Sequence, residues 1–285
     1  MKPNNVFLNL PKTFWASVRL ISQEVGYTQR LTKQIKIPTH DEINTKLEIL
    51  GIVFYRLQEQ KLGGGKFSDL LQDYFSYRAD VLNNFVEPQL MNVTKASKVF
   101  KQLYKDLKPA CPIPMNKEKG KMRTPAYLTG LVNMLVEANS NGLPCDYDPH
   151  QLTTVTRDDL PIRTFARRVD GAFPSSINPI AIWEIKEYYY SISFGSRVAD
   201  GIYETLLDGL EIEELREHES IDIIHLLIVD AHDTWWKQGK SYLCRIIDML
   251  HMGYIDEVLF GYEVVERLPA IVAEWVKIYQ SRLDK

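Results

Sequence analysis

The stretch 178–190, NPIAIWEIKEYYY, limits this chain more than any other. Its β-branched and aromatic residues favour a strand. Yet Glu184 and Lys186 interrupt it two residues apart, and Asp170 lies just upstream. Side chains alternate across a strand, so Glu184 and Lys186 share one face while Trp183 and Ile185 take the other. Charges buried in such a position are costly unless they are paired or bind an ion. A bare Glu184–Lys186 pair would stabilise a strand poorly, because desolvation offsets much of the attraction.

The surroundings separate into two patterns. Up to about residue 107 the apolar spacing is helical: KTFWASVRLISQEVG, THDEINTKLEILGIVFYRLQEQ, KFSDLLQDYFSYRADVLNNFV and KASKVFKQLYKDL. Thr39, followed three residues later by Glu42, predicts a capping box. The Pro-containing stretch KPACPIPMNKEKGKMRTP then breaks the pattern and predicts a boundary, with a helical region at 1–120 and a second domain at 121–285. Beyond it the order is α-β-β-β-α-β-α-β-α. A helix covers TPAYLTGLVNMLVEAN, QLTTVTRD and PIRTFARRVD read as two strands, and Asp170-Gly171 begins a turn into 178–190. Such an order predicts an α/β class with a mixed central sheet flanked by helices.

Charge follows the same division. Residues 1–123 carry 20 Lys+Arg against 11 Asp+Glu, a balance of +9, and the rest carry 14 against 26, a balance of −12. The split suggests one part that meets a polyanion and another with a different task. Apolar runs are far shorter than a membrane helix needs. Three cysteines without a CxxC pair suggest a reducing, cytoplasmic setting and argue against structural zinc.

If the preceding strand pairs antiparallel with 178–190, Asp170 meets Glu184. Two carboxylates and an ammonium then converge, a donor set suited to a hard divalent cation. Asp170, thirteen residues and Glu184-Ile185-Lys186 together resemble the PD-(D/E)xK signature of restriction-endonuclease-like nucleases, over roughly residues 124–264. Val169 stands where the motif name has proline. The tripeptide pattern also occurs at Glu59-Gln60-Lys61 and Asp106-Leu107-Lys108, but there it falls on polar helix ends.

The resemblance implies a restriction-endonuclease-like sheet, with Asp170, Glu184 and the Ile185 carbonyl holding Mg²⁺. Lys186 would then position or deprotonate the attacking water. Burial would lower its pKa and the neighbouring carboxylates would raise it. An acid from the helix before the sheet often joins the site in this family, which makes Glu137 a candidate. The expected substrate is double-stranded DNA, cut to a 5′-phosphate and a 3′-hydroxyl. Within the family the chain is most similar to a type II restriction endonuclease acting as a homodimer, or as a heterodimer with a related subunit. Ser196 and Arg197 at a helix start, and Lys117, Lys119, Lys121 and Arg123 in the basic loop, are candidate phosphate contacts. LGGGKFS lacks the spacing of a phosphate-binding loop, and Asp230, His232 and Asp233 read as a loop leaving the sheet. The acidic run from Asp208 to Glu219 reads as the solvated side of a helix.

Overall fold

The computed structural model describes residues 1–52, 61–62, 65–116, 124–190 and 195–283. The chain packs as two units. One comprises residues 3–88 and 235–253; the other comprises residues 1–2, 89–234 and 254–285. The boundary expected near residue 120 therefore falls at Pro88/Gln89, and a later segment rejoins the N-terminal part.

The first unit is mainly helical, as its 3–4 apolar spacing predicts. It holds α1 (Lys12–Val25), α2 (His40–Ile49), a short hairpin of β1 (Lys61–Leu62) and β2 (Gly65–Lys66), and α3 (Phe67–Val81). The capping box forms: the Thr39 side chain accepts from the Glu42 amide, and Glu42 accepts from the Thr39 amide at 3.0 Å. Phe14, Trp15, Val18, Ile43, Leu71, Tyr74 and Phe75 make its core.

The second unit contains α4 (Val93–Leu107), α5 (Tyr127–Asn139), β3 (Asp146–Tyr147), β4 (Thr154–Arg157), β5 (Leu160–Thr164), β6 (Gly171–Phe173), β7 (Ala181–Glu187), α6 (Ser196–Glu219) and β8 (Ile224–Asp230). After β8 the chain passes through α7 (Lys240–His251), which packs with the first unit, and returns as β9 (Glu257–Phe260) and α8 (Glu263–Leu283).

A mixed five-stranded sheet, in the order β3-β6-β7-β8-β9, organises this unit. β3 and β6, and β6 and β7, pair antiparallel, whereas β7, β8 and β9 run parallel. Period-2 alternation sorts β7 cleanly. Ala181 and Trp183 face α5 and α8, where Leu128, Val132, Leu268 and Val272 bury them, and Trp183 stacks on Trp275 at 5.7 Å. Ile182 faces the opposite side with Ile212 and Leu215 of α6.

Two sequence expectations change here. The segments expected as two consecutive strands leading to Asp170 instead form a separate hairpin, β4–β5. Asp170-Gly171 also begins no turn; it opens β6, and the chain reverses between Phe173 and Ala181. A glycine is needed at 171 because an added Cβ would lie 2.0 Å from the Trp183 indole. Helix α8 begins at Glu263, whose side chain accepts the Phe260 amide at 3.2 Å at the end of β9.

Candidate active site

β6 pairs with β7 only from Ala181 to Trp183, while β7 runs on to Glu187. Among the described residues no strand pairs with that edge of β7 past Trp183, and Asp170 takes the first place along it. The Asp170 amide donates to the Trp183 carbonyl at 3.2 Å, and its Oδ2 accepts the Ile185 amide at 2.7 Å. The amide and carbonyl of one strand residue point to the same side, so the Ile185 carbonyl shares this edge with Asp170. Asp170 reaches Glu184 by opening β6, a different route from the turn that its Gly neighbour suggested.

Glu184 and Lys186 lie on the α6 side of the sheet, as alternation requires, and both are buried. Lys186 Nζ donates to Glu184 Oε2 at 2.9 Å and to Glu204 Oε2 of α6 at 3.0 Å. α6 comes this close because position 201 is glycine: a Cβ there would sit 2.9 Å from the Tyr188 hydroxyl and 3.2 Å from Lys186 Cδ. Arg167 completes the cluster. Its Nη1 donates to Glu184 Oε1 at 2.7 Å and to Asp208 Oδ2 at 2.5 Å, and its Nη2 donates to Glu184 Oε2 at 3.1 Å.

These groups open on a cavity of about 430 Å³. Asp170, Glu184, Glu187, Asp200 and Glu204 line it, against the cations Arg167 and Lys186. The acid surplus shows in the proton affinities. Burial, followed by the Glu184 charge, pushes the Asp170 carboxyl up to about 7 and the Asp208 carboxyl up to about 8. Burial would also raise Glu184, but Lys186 and then Arg167 outweigh it, and its pKa falls below the usual carboxylate value. For Lys186 the two opposed effects resolve in one direction. Burial disfavours its charge, yet Glu184 and Asp170 raise its pKa, so it stays an ammonium.

The structure brings Asp170, Glu184, Ile185 and Lys186 to one wall of this cavity. Glu137 is not there. α5 presents its N-terminal turn to the cavity, where the Thr129 amide and hydroxyl both donate to Glu187 Oε2 at 3.1 Å. Glu137 lies two turns further along and accepts the Ala110 amide at 3.0 Å. Ser196 and Arg197 do open α6, but their side chains lie outside the described residues, as do Lys117, Lys119, Lys121 and Arg123. Asp230, expected in a loop, ends β8 and accepts the Met91 amide at 2.7 Å and the Ala231 amide at 2.8 Å, while Asp233 opens a helical turn.

Sequence reasoning passed over Arg167 and misplaced Asp208. Asp208 is fully buried, although the acidic run it begins was expected to be solvated. A signal was present: Asp200, Glu204 and Asp208 recur every four residues and so share one face of α6.

Among the described residues, no three His, Cys, Asp or Glu side chains converge closely enough to hold a metal ion as they stand. Asp170, Glu184 and the Ile185 carbonyl nevertheless offer the oxygen donors that a hard divalent cation takes. Both Glu184 oxygens are already engaged by Arg167 and Lys186, so a cation would have to exchange with them.

Comparison with known families assigns the chain without naming a chemistry. Residues 91–275, more than half of it, match a domain of unknown function, DUF7687, and the chain belongs to that family. Residues 1–85 match a second domain of unknown function, DUF7690. The break between the matches coincides with the first boundary between the packed units. No curated protein and no solved structure matches the chain. No described helix is long and apolar enough to cross a membrane.

Proposed function

We propose that this chain is a Mg²⁺-dependent DNA endonuclease of the PD-(D/E)xK kind, most like a type II restriction endonuclease. The reading rests on one observation: Asp170, Glu184 and Lys186 line a single cavity. The succession α5, β3, β6, β7, α6, β8 agrees with the α-β-β-β-α-β core of the restriction-endonuclease-like fold, which supports the likeness.

Asp170, Glu184 and the Ile185 carbonyl would hold Mg²⁺, whose charge offsets that of the scissile phosphate and acidifies water. Lys186, an ammonium at the cavity, holds the attacking water in line with the leaving oxygen. The water oxygen bonds to phosphorus as the bond to the 3′-oxygen breaks; the water gives up a proton to solvent and the 3′-oxygen takes one, leaving a 5′-phosphate and a 3′-hydroxyl. The +9 balance of residues 1–123 supplies the attraction for double-stranded DNA. A homodimer would suit a palindromic site, and a heterodimer with a related subunit an asymmetric one.

Digestion of a random duplex library in Mg²⁺, with sequencing of the ends, tests this. A defined sequence at the cut sites is the expected result. Cutting without sequence preference would favour a structure-specific repair or recombination nuclease, and the absence of cutting in Mg²⁺ and Mn²⁺ would overturn the reading. The engagement of Glu184 by Arg167 favours a second reading, a DNA-binding protein with a vestigial site. That reading requires DNA binding that ignores Mg²⁺.

A further inference from the structure

Arg167 sits where a metal ion would compete with it. Its Nη1 bridges Glu184 Oε1 at 2.7 Å and Asp208 Oδ2 at 2.5 Å, so one guanidinium is shared by two fully buried carboxylates. Asp208 uses only one oxygen for this; among the described residues its buried Oδ1 has no hydrogen-bond partner. A buried carboxylate oxygen left bare is costly and needs a reason. The bare oxygen lies on the carboxylate that already holds half of the guanidinium, so a small rotation of Arg167 away from Glu184 could satisfy it with the paired geometry that arginine and carboxylate prefer.

We propose that Arg167 is an exchangeable cation. It neutralises Glu184 in the ligand-free chain and transfers onto Asp208 when a divalent cation takes the Glu184 oxygens. Asp208 is then the receiving residue, and neither side chain needs to touch the substrate. Both act as positioning residues, setting how readily Glu184 becomes available. This inference rests on the nuclease reading, because it presumes a divalent cation at Asp170 and Glu184.

The consequences for cation affinity have opposite signs, which general damage to the site would not produce. Arg167→Met removes the competitor, so Ca²⁺ should bind about tenfold more tightly. Asp208→Asn takes away the second acceptor oxygen, so residue 208 cannot pair with the guanidinium and Arg167 stays on Glu184, and Ca²⁺ should bind roughly tenfold more weakly. Arg167→Lys keeps the charge and should restore affinity to within about threefold of wild type.

Isothermal titration of the full chain with Ca²⁺ reads these shifts without turnover, and thermal melts confirm folding. Tightening in Arg167→Met with weakening in Asp208→Asn supports the exchange. Unchanged affinity in both, or weakening in both, overturns it. If Arg167→Met does not fold, Asp208→Asn and Arg167→Lys decide, and an Asp208→Asn affinity equal to wild type overturns the exchange. Wild-type Ca²⁺ binding that Asp170→Asn abolishes, with no tightening in Arg167→Met, would sink the exchange alone. No Ca²⁺ binding by wild type or by Arg167→Met would sink the nuclease reading as well.

Discussion

Arg78 in the helical unit and Arg167 in the sheet unit are both guanidinium groups held by buried carboxylates, but their surroundings differ in kind. Arg78 Nη1 donates to both oxygens of Asp248 at 3.0 Å and to Ser22 Oγ at 3.2 Å, and the Tyr74 hydroxyl donates to the same carboxylate at 2.6 Å. The rings of Phe75 and Tyr27 lie 5.0 and 5.4 Å away. One acid meets one base, enclosed by aromatic side chains. Arg167 instead faces Glu184, Asp208 and Glu204, with Lys186 beside it, at a cavity where acids outnumber bases. A balanced, enclosed pair holds a fold together. A surplus of buried carboxylates at a cavity costs stability that a bound cation would restore, and that imbalance makes the second cluster the candidate site.

Stability measurements can break this contrast. Asp248→Ala strands a buried guanidinium and should lower the unfolding free energy by about 3–5 kcal/mol in chemical denaturation. Asp170→Asn removes a carboxyl that the fold already prefers to keep protonated, and stability should stay level or rise by about 1 kcal/mol. If Asp170→Asn proves as damaging as Asp248→Ala, the two clusters do not differ in the way described.

A smaller perturbation acts through Gly201. A methyl group there meets Tyr188 and the Lys186 stem, so Gly201→Ala should displace the ammonium. DNA cleavage should fall about tenfold, since a displacement near 1 Å is costly for catalysis, while the melting temperature changes little. A large loss of melting temperature with cleavage intact would contradict this.

The pH dependence offers a separate check on the same buried carboxyls. Asp170 and Asp208 have folded-state pKa values raised from 3.8 to about 7 and about 8. Between these limits the folded chain keeps protons that the unfolded chain has released. Their contribution to stability therefore declines as pH rises from about 4 to about 8 and then levels off. Glu184 acts in the opposite sense, its contribution present above pH 4.5 and lost as pH falls. Melting of the metal-free chain across pH 5–8.5 should show the decline, and Asp208→Asn should flatten it. An identical slope in that variant would rule out Asp208 as its source.

Where a local pattern decided the structure, the sequence could be read. Period-2 alternation placed Glu184 and Lys186 on one face of β7, and the Thr39–Glu42 spacing marked the start of α2. Pairing between distant segments was harder to see. Nothing local says that β4 and β5 form a hairpin outside the five-stranded sheet, or that Asp170 opens a strand. Arg167 looked like one cation among several until α6 set Asp208 against it. The charge of Lys186 depended on neighbours brought in by the fold, and so on more than the burial its strand implied.

The central claim is that Asp170, Glu184 and Lys186 form one metal-dependent hydrolytic centre. A time course of supercoiled plasmid cleavage by wild type, Lys186→Ala and Glu184→Gln, in Mg²⁺ and in EDTA, tests it most directly. Wild type should cut only in Mg²⁺, and each variant should be slowed by roughly a thousandfold while still binding DNA. Cleavage that persists in EDTA, or either variant cutting at the wild-type rate, would contradict the account.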